Sequence, residues 1–203
     1  VNILRLDEGE DIVIFDKSKF YELKIIQITK RDIRFEILSS HHIERQEPQI
    51  NLVLGLLKKD NFEKALYNAA LLSIKSIQPV YTDLMHKNWW SDKYLDRLES
   101  VMASACEQSK NFAMPEILSP INLSEYLQKC APADLLVCDT NCPPLAKVKL
   151  LHHEYTLLIG PEAGFSLNEI GLLQNYPKYS LVNAVLTSYD AVFAAGIIMS
   201  NLA

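Results

Sequence analysis

Apolar and polar positions divide the chain into two regions with different periods. In the first 46 residues the apolar side chains fall in short runs bounded by turn chemistry. Asp11-Ile12-Val13-Ile14-Phe15 is flanked by Gly9 and Lys17-Ser18, and the segments Phe20 to Thr29 and Ile33 to Leu38 follow, both rich in Ile and Phe. Runs of this length and composition predict β-strands, so this region reads as a small β-rich module. The stretch from Ser39 to Pro48 is polar and closes on a proline, which discourages a continuous element through it. It is the expected linker, giving domains over residues 1–46 and 47–203.

Beyond Pro48 strand-length apolar runs alternate with amphipathic segments. Ile50 to Leu57 reads as a buried strand. Asp60 to Leu72 reads as a helix with Phe62, Ala65, Leu66 and Ala69 on one face. Ile77 to Tyr81 is the next predicted strand. Ser91 is expected to cap a long helix in which Leu95, Leu98, Met102 and Ala105 recur at helical spacing. Ala133 to Cys138 and Tyr155 to Ile159 are further strands, and Tyr189 to Leu202 is an apolar helix. Alternating strand and helix predicts an α/β fold with a mostly parallel sheet covered on both faces.

Composition narrows the function class. Apolar residues make up 49% and charged residues 22% of 203 positions, the balance of an ordinary globular protein. No apolar run approaches the ~18 residues of a membrane span. The N-terminus has neither a basic nor an apolar leader, and it lacks an initiator methionine, so an absent first segment is expected. A formal net charge of -5 argues against gripping nucleic acid through bulk electrostatics, though a local basic patch remains open. Cys106, Cys130, Cys138 and Cys142 lack zinc-site spacing and read as thiols of a reducing cytoplasm. The pairs His41-His42 and His152-His153 point to opposite strand faces, so no metal is expected.

The most specific stretch runs from Leu157 to Glu169. An apolar strand enters the turn Gly160-Pro161-Glu162-Ala163-Gly164-Phe165, and Ser166 and Glu169 then have the spacing of a helix capping box. Gly160 and Gly164 permit conformations and close approaches that a side chain would block. A loop at the carboxyl end of a parallel strand is where open α/β sheets bind ligands. Read locally, it is equally a plain strand-turn-helix connection.

This segment resembles the G-P-E-G-G-F-x-x-x-E signature of the ribosomal RNA small subunit methyltransferase E family. Ile3-Leu4-Arg5-Leu6 with Gly9 resembles the family's V-L-R-x-x-x-G-D element, and Glu107-Gln108-Ser109 followed by Pro115 resembles its E-Q-S…P element. Ser180-Leu181, Val185-Leu186 and Ala191 lie where the family has S-L-G-x-x-I-L-R-x-E-T-A. The resemblance covers nearly the whole chain. It implies a PUA-like β-barrel that binds RNA, then a SPOUT domain with a trefoil knot that forms homodimers. It also implies S-adenosyl-L-methionine as cofactor, with Leu158, Ile159, Gly160, Pro161, Glu162, Ala163, Gly164, Leu181, Val185, Leu186 and Thr187 as its contacts. The implied reaction is methylation of N3 of a uridine in the 16S RNA of the small ribosomal subunit, in the cytoplasm.

Departures from the pattern fall where the chemistry is expected. The last motif has Val182 for its glycine, Thr187 for its arginine, Tyr189 for its glutamate and Asp190 for its threonine. Asn111 replaces an arginine, Asn68 to Ser73 replace K-A-T-E-L-G, Ala163 replaces a glycine, and Thr82-Asp83-Leu84 replace T-E-R. N3 of uridine must lose its proton, and a cation stabilising the developing anion would lower that barrier. Thr187 and Asn111 donate hydrogen bonds but carry no charge. Val182 and Ala163 are expected to narrow the pocket or strain the backbone.

Glu162 is the retained acidic residue of the loop, either a catalytic base and ligand-orienting group or a structural carboxylate. Asp139 and Asp190 read as cap or surface residues. Arg5, Lys24, Lys30, Arg31 and Arg34 give the small domain local basic content, and Lys58-Lys59 add to it near the junction, as an RNA footprint or a solvated surface. Trp89-Trp90 read as packing residues before base-stacking ones. Three functions follow: the methyltransferase, a non-catalytic relative that binds RNA or ribosome precursors, and an unrelated phosphate-binding protein. The last is weakest, because no Walker lysine follows the loop.

Overall fold

The computed structural model describes residues 6–16, 18–45, 47–85, 88–149 and 151–202. The chain divides into two compact units, Val1–Glu44 and Arg45–Ala203.

The first unit is an antiparallel meander of β1 (Asp11–Phe15), β2 (Lys19–Ile28) and β3 (Ile33–His42). The described residues form a three-stranded antiparallel sheet in the region where the resemblance implies the PUA-like domain. Leu23 and Ile25, both on β2, are buried at 1% exposure. The polar composition after Leu38 predicts a linker; the structure instead carries β3 through His42, pairing Lys19 with His42 and Phe20 with His41. The reason is cross-strand contact: the Phe20 and His41 rings stack at 4.7 Å.

The second unit runs β4 (Gln49–Gly55), α1 (Lys59–Leu71), β5 (Ser76–Tyr81), α2 (Leu95–Ser109), β6 (Glu116–Ile117), β7 (Ile121–Asn122), α3 (Leu123–Lys129), β8 (Leu135–Cys138), β9 (Glu154–Ile159), α4 (Leu167–Leu172), β10 (Lys178–Tyr179) and α5 (Ser188–Ser200). The sheet order is β10-β8-β9-β4-β5-β6, with β7 also on β5, and every pairing is parallel. Parallel strands need crossovers, and the helices supply them while covering the sheet.

Strand alternation assigns the two faces. Val53, Val80, Val137 and Leu158 join Leu123 and Leu127 of α3 in one core cluster. Phe62, Ala65, Leu66 and Ala69 of α1 are each 0% exposed, as the helical period requires. Helix α1 packs on both α2 and α5. A Cβ at Gly196 of α5 would lie 2.5 Å from Leu72 Cδ1, so the glycine permits this approach. The residue expected to cap α2 does not do so. Ser91 precedes a single tight turn at Asp92–Tyr94 and makes no side-chain capping bond. Helix α2 begins only at Leu95, because the Tyr94 hydroxyl and Arg97 are both drawn to Glu63 of α1.

Candidate active site

Strand β9 lies between β8 and β4, so the loop that leaves it emerges in the middle of the sheet's carboxyl edge. Gly55, at the end of β4, meets that loop closely: a Cβ there would sit 2.6 Å from Pro161 Cδ and 2.7 Å from Pro161 N. The turn closes with Gly164 N donating to Pro161 O at 2.9 Å, and Gly164 has φ +73, which favours glycine. Neither Ala163 nor Val182 has positive φ, which corrects the expectation of backbone strain at those replacements.

Helix α4 begins with the expected capping box. Glu169 N donates to Ser166 Oγ, and Ser166 N donates to Glu169 Oε2 at 2.8 Å. Glu169 is 4% exposed, and its other oxygen accepts from Asp83 N at 3.0 Å. Ser166 Oγ donates to Asp83 Oδ2, so the loop after β5 is tied to the signature loop. A buried carboxylate needs such partners, and here they come from two loops.

Glu162 is similarly engaged. Its Oε1 accepts from Lys58 N at 3.3 Å and from Asn61 Nδ2 at 2.8 Å. Lys58 is the N-cap of α1 and provides no side-chain cap, so Glu162 brings negative charge to a helix start. On α5, Thr187 is the N-cap. Its Oγ1 accepts from Asp190 N, its hydroxyl donates to Asp190 Oδ2 at 2.6 Å, and Ser188 Oγ donates to Gly160 O at 2.8 Å. Asn111 Nδ2 donates to Ser73 Oγ and reaches the Ala70 and Leu71 carbonyls at the end of α1. Thr187 and Asn111, two of the positions where the family pattern has arginine, are therefore used at helix ends.

The loops after β8, β9 and β10 enclose a cavity of about 550 Å³. Of the expected cofactor contacts, Ile159, Gly160, Pro161, Glu162, Gly164, Leu181, Val185, Leu186 and Thr187 line it. Leu158 and Ala163 do not. Leu158 is fully buried because alternate residues of β9 face opposite sides, and its side chain belongs to the core cluster. Asp139, expected as a cap or surface residue, is exposed, with Oδ1 accepting from Thr140 N at 2.7 Å, and it also lines the cavity beside Cys138 and Thr140. The Cys138 thiol is pushed up to about 12, by burial first and then by the Asp139 charge, so it stays protonated. Among the described residues, Asp139 and Glu162 are the charged members of the lining, which contains no Lys, Arg or His. From Leu181 to Leu186 no backbone amide or carbonyl bonds to another protein group among the described residues.

The expected RNA contacts belong to both units of the chain. Arg5 lies outside the described residues. Lys30 and Arg31 are exposed at the turn between β2 and β3, and Arg34 is exposed on β3 opposite Gln27. Lys59 is turned onto the Tyr94 ring, 3.7 Å from its centroid. Trp89 donates to Leu57 O at 2.7 Å and packs on Phe62 and Tyr94, as a packing residue does. Asn61, Asn68 and Asp83 carry no local signal of their contacts, because their partners lie 101, 121 and 83 residues away.

An open parallel sheet with a backbone-lined cavity at its carboxyl edge, preceded in the chain by a small antiparallel module, defines a class in which the family models agree. A model of the RNA methyltransferase domain matches residues 44–200, and one of the RNA methyltransferase PUA domain matches residues 1–38. The chain belongs to this RNA methyltransferase family. It is similar to the ribosomal RNA small subunit methyltransferase E of Synechocystis sp., at 25% identity over 93% of this chain and 65% of that protein. The Helicobacter pylori protein of the same name is 26% identical over 87% of this chain and 78% of its own length. The chain thus spans just under two thirds of the first relative's length. A crystal structure of a ribosomal RNA small subunit methyltransferase E from Neisseria gonorrhoeae bound to S-adenosyl methionine superposes with a TM-score of 0.87. That match has 25% identity and covers 99% of this chain and 86% of that one. Among the described residues, no helix is long and apolar enough to cross a membrane.

Proposed function

We propose that this protein is an S-adenosyl-L-methionine-dependent methyltransferase acting on N3 of a uridine in small-subunit ribosomal RNA, in the cytoplasm. The observation that carries the reading is the cavity at the ends of β8, β9 and β10, with its unpaired backbone from Leu181 to Leu186. Unpaired amides and carbonyls beside apolar walls suit a ligand that combines an aromatic base with polar edges. The lining's two carboxylates and lack of cations suit a ligand bearing a sulfonium and an ammonium.

When bound, the cofactor supplies an electrophilic methyl group. Ile159, Gly160, Pro161 and Gly164 would hold it on one side, and Leu181, Val185, Leu186 and Thr187 on the other. Phe165 packs where a Cβ on Gly160 would lie, 3.0 Å from its ring, so the loop has one shape to offer. Glu162 is fixed through Oε1 by Lys58 and Asn61, which leaves Oε2 to orient the acceptor or accept the N3 proton. Homodimerisation belongs to the same reading: Leu167 and Ile170 on α4 and Phe193 and Ile197 on α5 expose apolar side chains.

Calorimetric titration with S-adenosyl-L-methionine tests the reading. Micromolar binding, abolished by Gly160→Trp, is expected; absence of heat at millimolar cofactor would sink it. A second reading, cofactor or RNA binding without turnover, is favoured by one observation: Thr187 and Asn111 are neutral groups used at helix ends. Tritiated cofactor with small ribosomal subunits separates the two, since label transfer to RNA supports the enzyme and binding without transfer supports the relative.

A further inference from the structure

Resting on the reading above, an RNA strand must reach a cavity whose charged lining residues are Asp139 and Glu162. Every nucleotide brings a phosphate, so a cation near the mouth is required to offset that charge.

Helix α1 supplies one. Asn61, Lys64 and Asn68 are spaced by three and four residues and share a helix face. That face is directed at the site: Asn61 Nδ2 donates to Glu162 Oε1 at 2.8 Å, and Asn68 Nδ2 donates to Tyr189 O at 2.9 Å. Between them the Lys64 Nζ lies 4.9 Å from the centroid of the Tyr189 ring. Tyr189 directly follows Ser188, which lines the cavity. Lys64 is exposed and pairs with no carboxylate among the described residues. Lys59, by contrast, sits over a tyrosine whose hydroxyl is bonded to Glu63.

A ring face attracts an ammonium without neutralising it. The lysine is therefore held in place while its charge stays available, which reduces the side-chain freedom lost when an anion binds. We infer that Lys64 is a phosphate contact for the RNA strand whose nucleotide enters the cavity, and that Tyr189 is its positioning residue.

The test uses the full chain and a fluorescent single-stranded RNA oligonucleotide rich in uridine, with anisotropy read over a salt series. A single-strand phosphate contact contributes about 0.7 to the slope of log affinity against log salt, or about fivefold at 0.1 M relative to 1 M salt. Lys64→Gln should lose that slope and weaken binding about fivefold at 0.1 M salt. Lys64→Arg should keep both, and Tyr189→Leu should weaken binding while keeping the slope. Cofactor affinity and thermal midpoint of Lys64→Gln should match the wild type. An unchanged slope in Lys64→Gln overturns the assignment, as does a slope loss accompanied by equal loss of cofactor affinity, which would mark a structural role. Wild-type protein that binds RNA but no cofactor sinks the methyltransferase reading while the slope still decides Lys64. Wild-type protein that binds no RNA overturns both.

Discussion

Arg45 shows how one side chain can be misread from its neighbours. It stands in a polar stretch and reads as part of a solvated linker, yet its guanidinium donates to Met114 O at 2.7 Å, Ala113 O at 3.1 Å and Ile74 O at 3.4 Å. Burial pulls its pKa below the usual arginine value, offset in part by Cys106 and Glu116, and the carbonyls compensate the desolvation. Truncation would leave those acceptors without a donor. Arg45→Ala is expected to cost roughly 2 kcal/mol, read from the urea midpoint at unchanged slope. At the same scale, Glu162, Thr187 and Asn111 show why chemistry cannot be assigned from identity alone. Their types were legible, but only the fold reveals that each satisfies a helix end.

Among the elements, the central strands are held together at the amino edge of the sheet by a polar chain. Ser76 Oγ on β5 donates to Asn51 Oδ1 on β4, while Asn51 Nδ2 and Lys75 Nζ both donate to Glu154 Oε1 on β9, at 2.6 and 2.8 Å. Lys75 first, then Asn51, lowers the Glu154 pKa from its ordinary value of 4.5. A depressed carboxylate contributes stability above its unfolded pKa and loses it as pH falls through the folded one. Lys75→Met should therefore be less stable than wild type at pH 7, with the gap closing at acidic pH below 4.5. The gap will be small, because both side chains are well exposed. Parallel urea titrations at several pH values measure it, and a gap that grows on acidification would contradict the linkage.

At the scale of the whole molecule, the apolar side chains left on α4 and α5 carry the expectation of self-association. Leu167 at the start of α4 is 89% exposed, and Phe193 and Ile197 on α5 are 40% and 39% exposed. Isolated exposed leucines mean little, but two helices with exposed apolar residues three and four apart point to burial against another copy. Sedimentation velocity should show a dimer, and Phe193→Glu with Ile197→Glu should convert it to monomer without unfolding. A wild-type monomer at tens of micromolar would remove this part of the proposal.

The sequence by itself determined the alternation of strand and helix, the buried face of α1, the capping box at Ser166 and the signature loop. All of these depend on contacts within a few residues or on a regular period, which a linear pattern records. The two-residue strands β6, β7 and β10 left no such trace, since they exist only through pairing with longer partners. The extension of β3 to His42 and the late start of α2 likewise came from partners on other elements. The site was split in the same way. The loop after β9 was legible because its glycines and capping box are local. The roles of Asp139, Asn61, Lys64 and Asn68 were not, because strand order and helix packing bring together groups whose separation along the chain conceals them.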